Sequence, residues 1–371
     1  TDIGNDGNVG TVRQIGIVTR AGTESRLVVA ASEGIYIQSP QRNGWQCIWD
    51  PDGDPALSWP QWSQNAWGVA VGGQGRLYTV TSFREDGRLP SVWWIEPDAS
   101  GSDYVYDSSD WYRLGTNDPT PVPPQDDLPW SEVVGQHGAD FYSLTVVPAV
   151  DVDDEEVFVG MIGSRIREYN GYFRYGAYLD AAGVERQGWV NFIHAYTHDG
   201  SAQELFDFKY VDYATNADLE EDFDSGWLVQ YWLMSTVPLI YHPDEPTRKF
   251  VAGFHIPLAS GDGTTPVGVW DQRYCDVVSG DYYASRGLNE MSPRSLAFFE
   301  PDGGLPGQLV IGCGDFQAFL ANDETGSGFM DMDPYYTGDS EGIDIETTGD
   351  EIYVLRGAAG QYDNTGPHTF G

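Results

Sequence analysis

Short apolar runs that alternate with polar residues recur along the whole chain, each followed by an Asp-, Gly- or Pro-rich turn and a second β-branched run. One example is GVAVG (68–72), followed by GQG and then RLYTVTS (76–82). Alternation with a period of two is the pattern of a strand with one buried face, and short Gly-rich turns join antiparallel strands. The pattern predicts an all-β chain.

The strand pairs form seven units along the 371 residues. Their equivalent points are Ile15, Val69, Leu144, Phe192, Trp232, Leu296 and Ile343. The steps between these points, 40 to 75 residues, suit one four-stranded propeller blade plus variable loops. We therefore predict a β-propeller of about seven blades, with six blades or two β-sandwich domains breaking near residue 130 as the alternatives.

Residues 1–371 are predicted to form a single domain, from which the Pro- and Asp-rich segment 115–130 protrudes as a loop. The last unit has two clear strands followed by QYDNTGPHTFG, a poor candidate for further strands. We expect the N-terminal segment NVGTVRQIGIV (8–18) to close the last blade.

Units such as GVAVGGQGRLYTV and EGIDIETTGDEIYVLRG resemble the generic blade of the β-propeller superfamily: a small or apolar inner strand, a turn, and a second strand ending in a Tyr or Phe. The resemblance covers nearly the whole chain. No Gly-His to Trp-Asp signature, kelch Gly-Gly pair or Asp-box series repeats. The resemblance therefore implies a fold and no particular function.

The charge balance is strongly acidic, with 57 Asp and Glu against 19 Lys and Arg and a net charge of -38. Lysine is limited to Lys209 and Lys249. Self-repulsion at this charge destabilises a compact state in dilute buffer, whereas roughly 1 M salt shortens the Debye length to about 3 Å. These features predict a protein adapted to concentrated salt, of haloarchaeal or haloarchaeal-virus origin. They also predict that neither nucleic acid nor a membrane surface is a partner.

The sharpest metal candidate is the turn Asp50-Pro-Asp52-Gly-Asp54, where alternate carboxylates could wrap a calcium ion. Its twelfth position is Gln61, which excludes an EF-hand, and a solvated acidic turn remains the alternative. The run Asp151–Glu156 is interpreted as salt-adapted surface. No cofactor is required by any pattern, although structural calcium or other cations would suit such loops.

Tryptophans crowd the first third of the chain, and Trp59, Trp62 and Trp67 stand in turn-like sequence. These three are candidate contacts to a sugar or protein partner, against the alternative that they pack between blades. Nucleophile elbows and phosphate-binding loops are absent from the sequence.

The sequence therefore favours a non-enzymatic structural or host-attachment protein on the surface of a halophilic archaeal virus particle, making contacts through its loops. The expected partners are other virion proteins and a host-surface protein or glycan, and a homo-oligomer stays open. TDIGNDGNVG lacks a signal-peptide pattern, which favours assembly inside the cell, although Thr1 also suits a chain after signal cleavage. A propeller hydrolase (lactonase-like or glycan-cleaving) and a secreted lectin-like module are the alternatives.

Overall fold

In the computed structural model, the residues described fall into many short ranges. They are 12–19, 25–31, 34–39, 44–49, 66–81, 89–98, 105–108, 110–115, 130–162, 169–180, 182–197, 206–212, 217–220, 238–251, 258–261, 271–272, 275–279, 282–285, 293–299, 308–313, 318–321, 329–331, 340–348, 351–358 and 368–370. The chain divides into two compact units, 1–273 and 274–371.

The first unit begins with two four-stranded antiparallel sheets, in each of which the strands pair in chain order. The first sheet contains β1 (Val12–Val18), β2 (Arg26–Ala31), β3 (Gly34–Gln38) and β4 (Trp45–Trp49). The second contains β5 (Ala66–Val71), β6 (Leu77–Thr81), β7 (Ser91–Ile95) and β8 (Tyr112–Arg113).

In the third and fourth sheets of this unit, the strands also pair in chain order. The third contains β9 (Asp140–Val147), β10 (Glu156–Ile162), β11 (Tyr169–Leu179), β12 (Glu185–Thr197), β13 (Phe206–Asp212) and β14 (Ala217–Glu220). The fourth contains β15 (Ile240–His242), β16 (Glu245–Val251), β17 (Leu258–Ser260) and β18 (Asp271–Gln272).

The second unit contains three further sheets in its described part. They are formed by β19 (Cys275–Ser279) with β20 (Tyr282–Ser285); by β21 (Pro293–Phe299), β22 (Gln308–Cys313), β23 (Ala318–Ala321) and β24 (Phe329–Asp331); and by β25 (Ser340–Thr348), β26 (Glu351–Ala358) and β27 (His368–Phe370). Consecutive four-stranded antiparallel meanders are the sheets of which β-propellers are built, so the predicted all-β fold of the propeller class is confirmed. The number of blades and the single domain stay predictions.

Two features of the strand order differ from the sequence analysis. The predicted units around Leu144 and Phe192 belong to one six-stranded sheet, because β11 and β12 are long and pair directly with each other. Residues 12–18 of the expected closing segment pair with β2 in the first sheet, whereas the last sheet takes its third strand from His368–Phe370. The C-terminal HTF is therefore a strand even though its surroundings are rich in turn-forming residues.

Two hydrophobic cores fill the spaces between the first three sheets. Val28, Ile35 and Trp49 of the first sheet pack against Leu77 and Trp93 of the second. The other core joins the second and third sheets and includes Tyr78, Val92 and Phe141, together with Trp130, which is fully buried. Trp130 directly precedes the short helix α1 (Ser131–His137). This core therefore contains residues from both sides of residue 130. Residues 116–129 of the predicted loop lie outside the described residues.

Candidate functional site

Two consecutive carboxylates, Glu155 and Glu156, stand where β10 begins, and their side chains go to opposite sides of the sheet, as strand geometry dictates. Glu155 is 2% exposed, and the Glu156 side chain is 20% exposed. The surface interpretation of the run Asp151–Glu156 is therefore wrong for these two residues. It holds for Asp151, Asp153 and Asp154, which are exposed in the preceding turn. Sheets pack against both faces of β10, so alternation buries Glu155 and leaves Glu156 only partly exposed.

Glu155 reaches across to the second sheet. It accepts a hydrogen bond from the Tyr78 hydroxyl at 2.6 Å and a second one from the backbone N–H of Gly73. A Cβ at Gly72 would come within 2.6 Å of both Glu155 oxygens, so only glycine leaves room for the carboxylate at the β5–β6 turn. The glutamate therefore fastens the turn of one sheet to the first residues of a strand in the next.

Arg76 completes this polar cluster. Its guanidinium forms an ion pair with Glu96 and donates to the Tyr78 hydroxyl at 3.4 Å and to the carbonyl oxygen of Val152 at 3.1 Å. Val152 lies on the third sheet's side of the cluster, in the turn before β10. Arg76 is itself buried, so its charge is neutralised where it would otherwise be costly.

Glu156 links the third and fourth sheets. Its Oε1 accepts from Arg174 on β11 at 2.6 Å, and its Oε2 lies 2.8 Å from Nζ of Lys249 on β16. Lys249 is 2% exposed and also lies 5.8 Å from the Phe158 ring centroid. One of the two lysines of this acidic chain is therefore a buried structural cation.

The two glutamates have pKa values shifted in opposite directions. Burial raises the pKa of Glu155 above its ordinary value of 4.5, and the hydrogen bonds from Tyr78 and Gly73 offset this effect only in part. Burial acts in the same direction on Glu156, but the charges of Arg174 and Lys249 outweigh it and lower the pKa of Glu156. As the pH falls, Glu155 therefore takes up a proton before Glu156 does.

This difference predicts a pH dependence for Glu155→Gln. A raised pKa in the folded state means that the contribution of Glu155 to stability is fully present below its unfolded pKa and is lost as the pH rises through the folded value. We expect the variant to gain stability relative to the unmodified protein as the pH rises above about 4.5. Denaturant unfolding between pH 4 and 8 measures this difference, and a difference independent of pH would contradict it.

Four aromatic side chains lie around the Arg76 cluster where the second and third sheets meet. We call Trp94, Tyr112, Tyr175 and Trp189 the aromatic rim. On the second sheet, Trp94 and Tyr112 are cross-strand partners whose rings stack with centroids 5.0 Å apart and planes at 29°. The Arg76 guanidinium lies 4.4 Å from the centroid of the Trp94 ring.

The third sheet supplies the other two rings. Tyr175 and Trp189 are cross-strand partners on β11 and β12, with ring centroids 5.3 Å apart. The indole N–H of Trp189 donates to the carbonyl oxygen of Leu114 at 3.3 Å, which joins the third sheet to the residues that follow β8. Beneath the rim, Trp130 packs against Trp189 with their centroids 5.0 Å apart. The rim is thus anchored from below by the core, and Tyr112 is 44% exposed.

Most of the sequence-predicted site residues are not described by the structure. Asp50, Asp52, Asp54, Trp59 and Trp62 lie outside the described residues. The backbone of Trp67 is in β5, but its side chain also lies outside them. The metal and partner-contact assignments at these positions therefore stay predictions.

Trp49, Trp93 and Trp111, by contrast, pack between the first two sheets, as expected for tryptophans buried between blades. The rim was not predictable from the sequence, because Trp94 and Tyr112 become neighbours only through the β7–β8 register. The alternating pattern of SVWWIE was the only available signal.

Within the described residues, no group of three or more His, Cys, Asp or Glu side chains is arranged to hold a metal ion. In that same part of the chain, no helix has the length and apolar character needed to cross a membrane.

No protein-family model and no curated protein sequence matches the chain. Among solved structures, the chain is similar to the Dos1 propeller, with 9% identity, 95% of this chain and 76% of that one covered, and a TM-score of 0.42. It is also similar to the structure of YCF48 bound to D1 peptide, with 10% identity, 94% of this chain and 90% of that one covered, and a TM-score of 0.35. A third similar structure is that of an ancestral GH74 enzyme, with 14% identity, 96% of this chain covered and a TM-score of 0.36. The chain spans 40% of the length of that enzyme.

Proposed function

We propose that the protein is a non-enzymatic display platform, a structural or host-attachment component on the surface of a halophilic archaeal virus particle. The observation that carries this proposal is the use made of the buried acids: Glu155 and Glu156 both contact neighbouring sheets and tie three of them together. We infer that acids bonded across sheets in this way hold those sheets in one arrangement. A body held in this way suits presentation of contact surfaces.

The β11–β12 hairpin supports the display role. Pairing between β10 and β11 ends at Tyr175, while β11 continues to Leu179 and returns in β12, so the hairpin extends beyond its neighbour in the sheet. Asp180 shapes the turn by accepting hydrogen bonds from the backbone N–H groups of Ala182 and Val184, each at 2.9 Å. The turn is thus both exposed and ordered by its own hydrogen bonds.

The charge distribution supports the high-salt setting. Asp151, Asp153 and Asp154 are exposed, whereas Lys249 is buried in an ion pair. Surface acids combined with buried basic groups suit concentrated salt, where repulsion among the acids is screened. The proposed partners are other virion proteins and a host-surface protein or glycan, with neither nucleic acid nor membrane insertion and with cations as optional loop stabilisers. A secreted lectin-like module is the second candidate, favoured by the aromatic rim.

Localisation tests the proposal. Antibodies against the recombinant protein would be used to quantify it in gradient-purified virus particles and in culture supernatants of infected and uninfected haloarchaea. We expect it in the particles and bound to host cells when the labelled protein is added in about 3 M salt. Detection in the supernatant of uninfected cells would instead support the secreted alternative and overturn the viral one.

A further inference from the structure

We infer that the aromatic rim binds a neutral glycan, that is, a chain of uncharged sugars. This inference rests on the proposed function, because it assigns one of the proposed partners to a site. The site consists of Trp94, Tyr112, Tyr175 and Trp189 with the exposed carboxylates beside them.

The stacked pair supplies the platform for a sugar ring. Tyr112 is 44% exposed, and its orientation is held by stacking on Trp94, which in turn lies under Arg76. A pyranose ring presents C–H groups on its face, and these pack on an aromatic ring that is already held in place with little loss of side-chain entropy. Tyr112 is therefore the ring that we expect to contact the sugar face.

Carboxylates on both sheets supply acceptors for sugar hydroxyl groups. Glu96 follows Trp94 by two residues, and its side chain is 51% exposed even though it is paired with Arg76. Asp153, in the turn before β10, has a side chain that is 86% exposed and an oxygen 3.7 Å from the same guanidinium. A few placed polar groups beside aromatic side chains are the usual composition of a small-ligand site.

The negative charge of the protein determines which class of ligand suits this site. A net charge of -38, with Glu96 and Asp153 at the rim itself, disfavours sulfated or uronic-acid glycans. A basic peptide would depend on Coulomb attraction between exposed groups, which about 1 M salt screens beyond roughly 3 Å. Ring stacking and hydrogen bonds to neutral hydroxyl groups are retained in such salt, so a neutral glycan suits these residues best.

The test is direct binding by the full chain in about 2 M KCl, with arrays of linear glucose, mannose and galactose oligomers as probes. Uronic-acid and sulfated oligomers and an oligo-arginine peptide serve as comparators. We expect a neutral oligomer to bind, Tyr112→Ala to weaken that binding at least tenfold, and Tyr112→Phe, which keeps the ring, to retain it. Tyr142→Ala is the matched control, because Tyr142 is a tyrosine of similar exposure, 45%, on β9.

A second variant keeps the test decisive if Tyr112→Ala does not fold. Asp153→Ala changes an exposed turn residue and should weaken binding severalfold without changing the unfolding midpoint. The inference is overturned if no neutral oligomer binds, if only the charged probes bind, or if the Tyr112 and Tyr142 variants behave alike. If the protein is found in virus particles but binds no neutral glycan, this inference is rejected and the proposed function stands. If the protein binds a neutral glycan but is found in the supernatant of uninfected cells, the proposed function is rejected and this inference stands.

Discussion

Replacing Glu156 by Gln is expected to lower the free energy of unfolding by about 3 kcal/mol or more. The substitution leaves Arg174 and Lys249 buried without their shared counter-charge, and an uncompensated buried charge is far more costly than the loss of a surface ion pair. Because Glu156 belongs to the third sheet and Lys249 to the fourth, the loss of their ion pair should weaken the junction between these two sheets. Denaturant unfolding at about 2 M KCl measures the change.

Asp154→Asn is the matched control for this experiment. It removes the same charge two positions earlier in the sequence, but from an exposed side chain, and should change stability by less than about 0.5 kcal/mol. Lys249→Met in the Glu156→Gln background should recover part of the loss, since it removes a buried cation that has lost its ion pair with Glu156. Equal effects of the Glu156 and Asp154 substitutions would show that Glu156 is not a structural link.

The strands were largely predictable, because alternation and turn residues act locally. RLYTVTS (76–82) contains β6, NVGTVRQIGIV (8–18) ends in β1, and GVAVG (68–72) overlaps β5 with its ends shifted by one or two residues. Which strands share a sheet was harder to predict from the sequence. The units around Leu144 and Phe192 joined into one sheet because of the lengths of β11 and β12, and alternation does not indicate which strand a given strand pairs with.

The candidate site was much less predictable than the strands. In sequence, Glu155 and Glu156 cannot be told from the exposed acids that precede them, and only the packing of sheets on both faces of β10 separates the two groups. The rim depends on the same information, since Trp94 and Tyr112 are 18 positions apart and Tyr175 comes from another sheet. In a chain with 57 acids and 13 tryptophans, composition gives no means of choosing among them.

Salt acts differently on the acids that coat the surface and on the acids that join sheets. Repulsion among exposed carboxylates is screened within about 3 Å at 1 M salt, whereas the buried Glu156 pairs are screened much less. Rising salt should therefore stabilise the protein through its surface alone. The Glu156→Gln variant should show the same gain from a lower starting point.

The most direct measurement is thermal unfolding of the unmodified protein and of Glu156→Gln from about 0.1 to 3 M KCl. We expect both midpoints to rise steeply and in parallel, by more than about 10 °C, since several kcal/mol correspond to such a shift in a chain of this size. A flat profile, or a deficit in the variant that disappears as salt is added, would contradict this expectation.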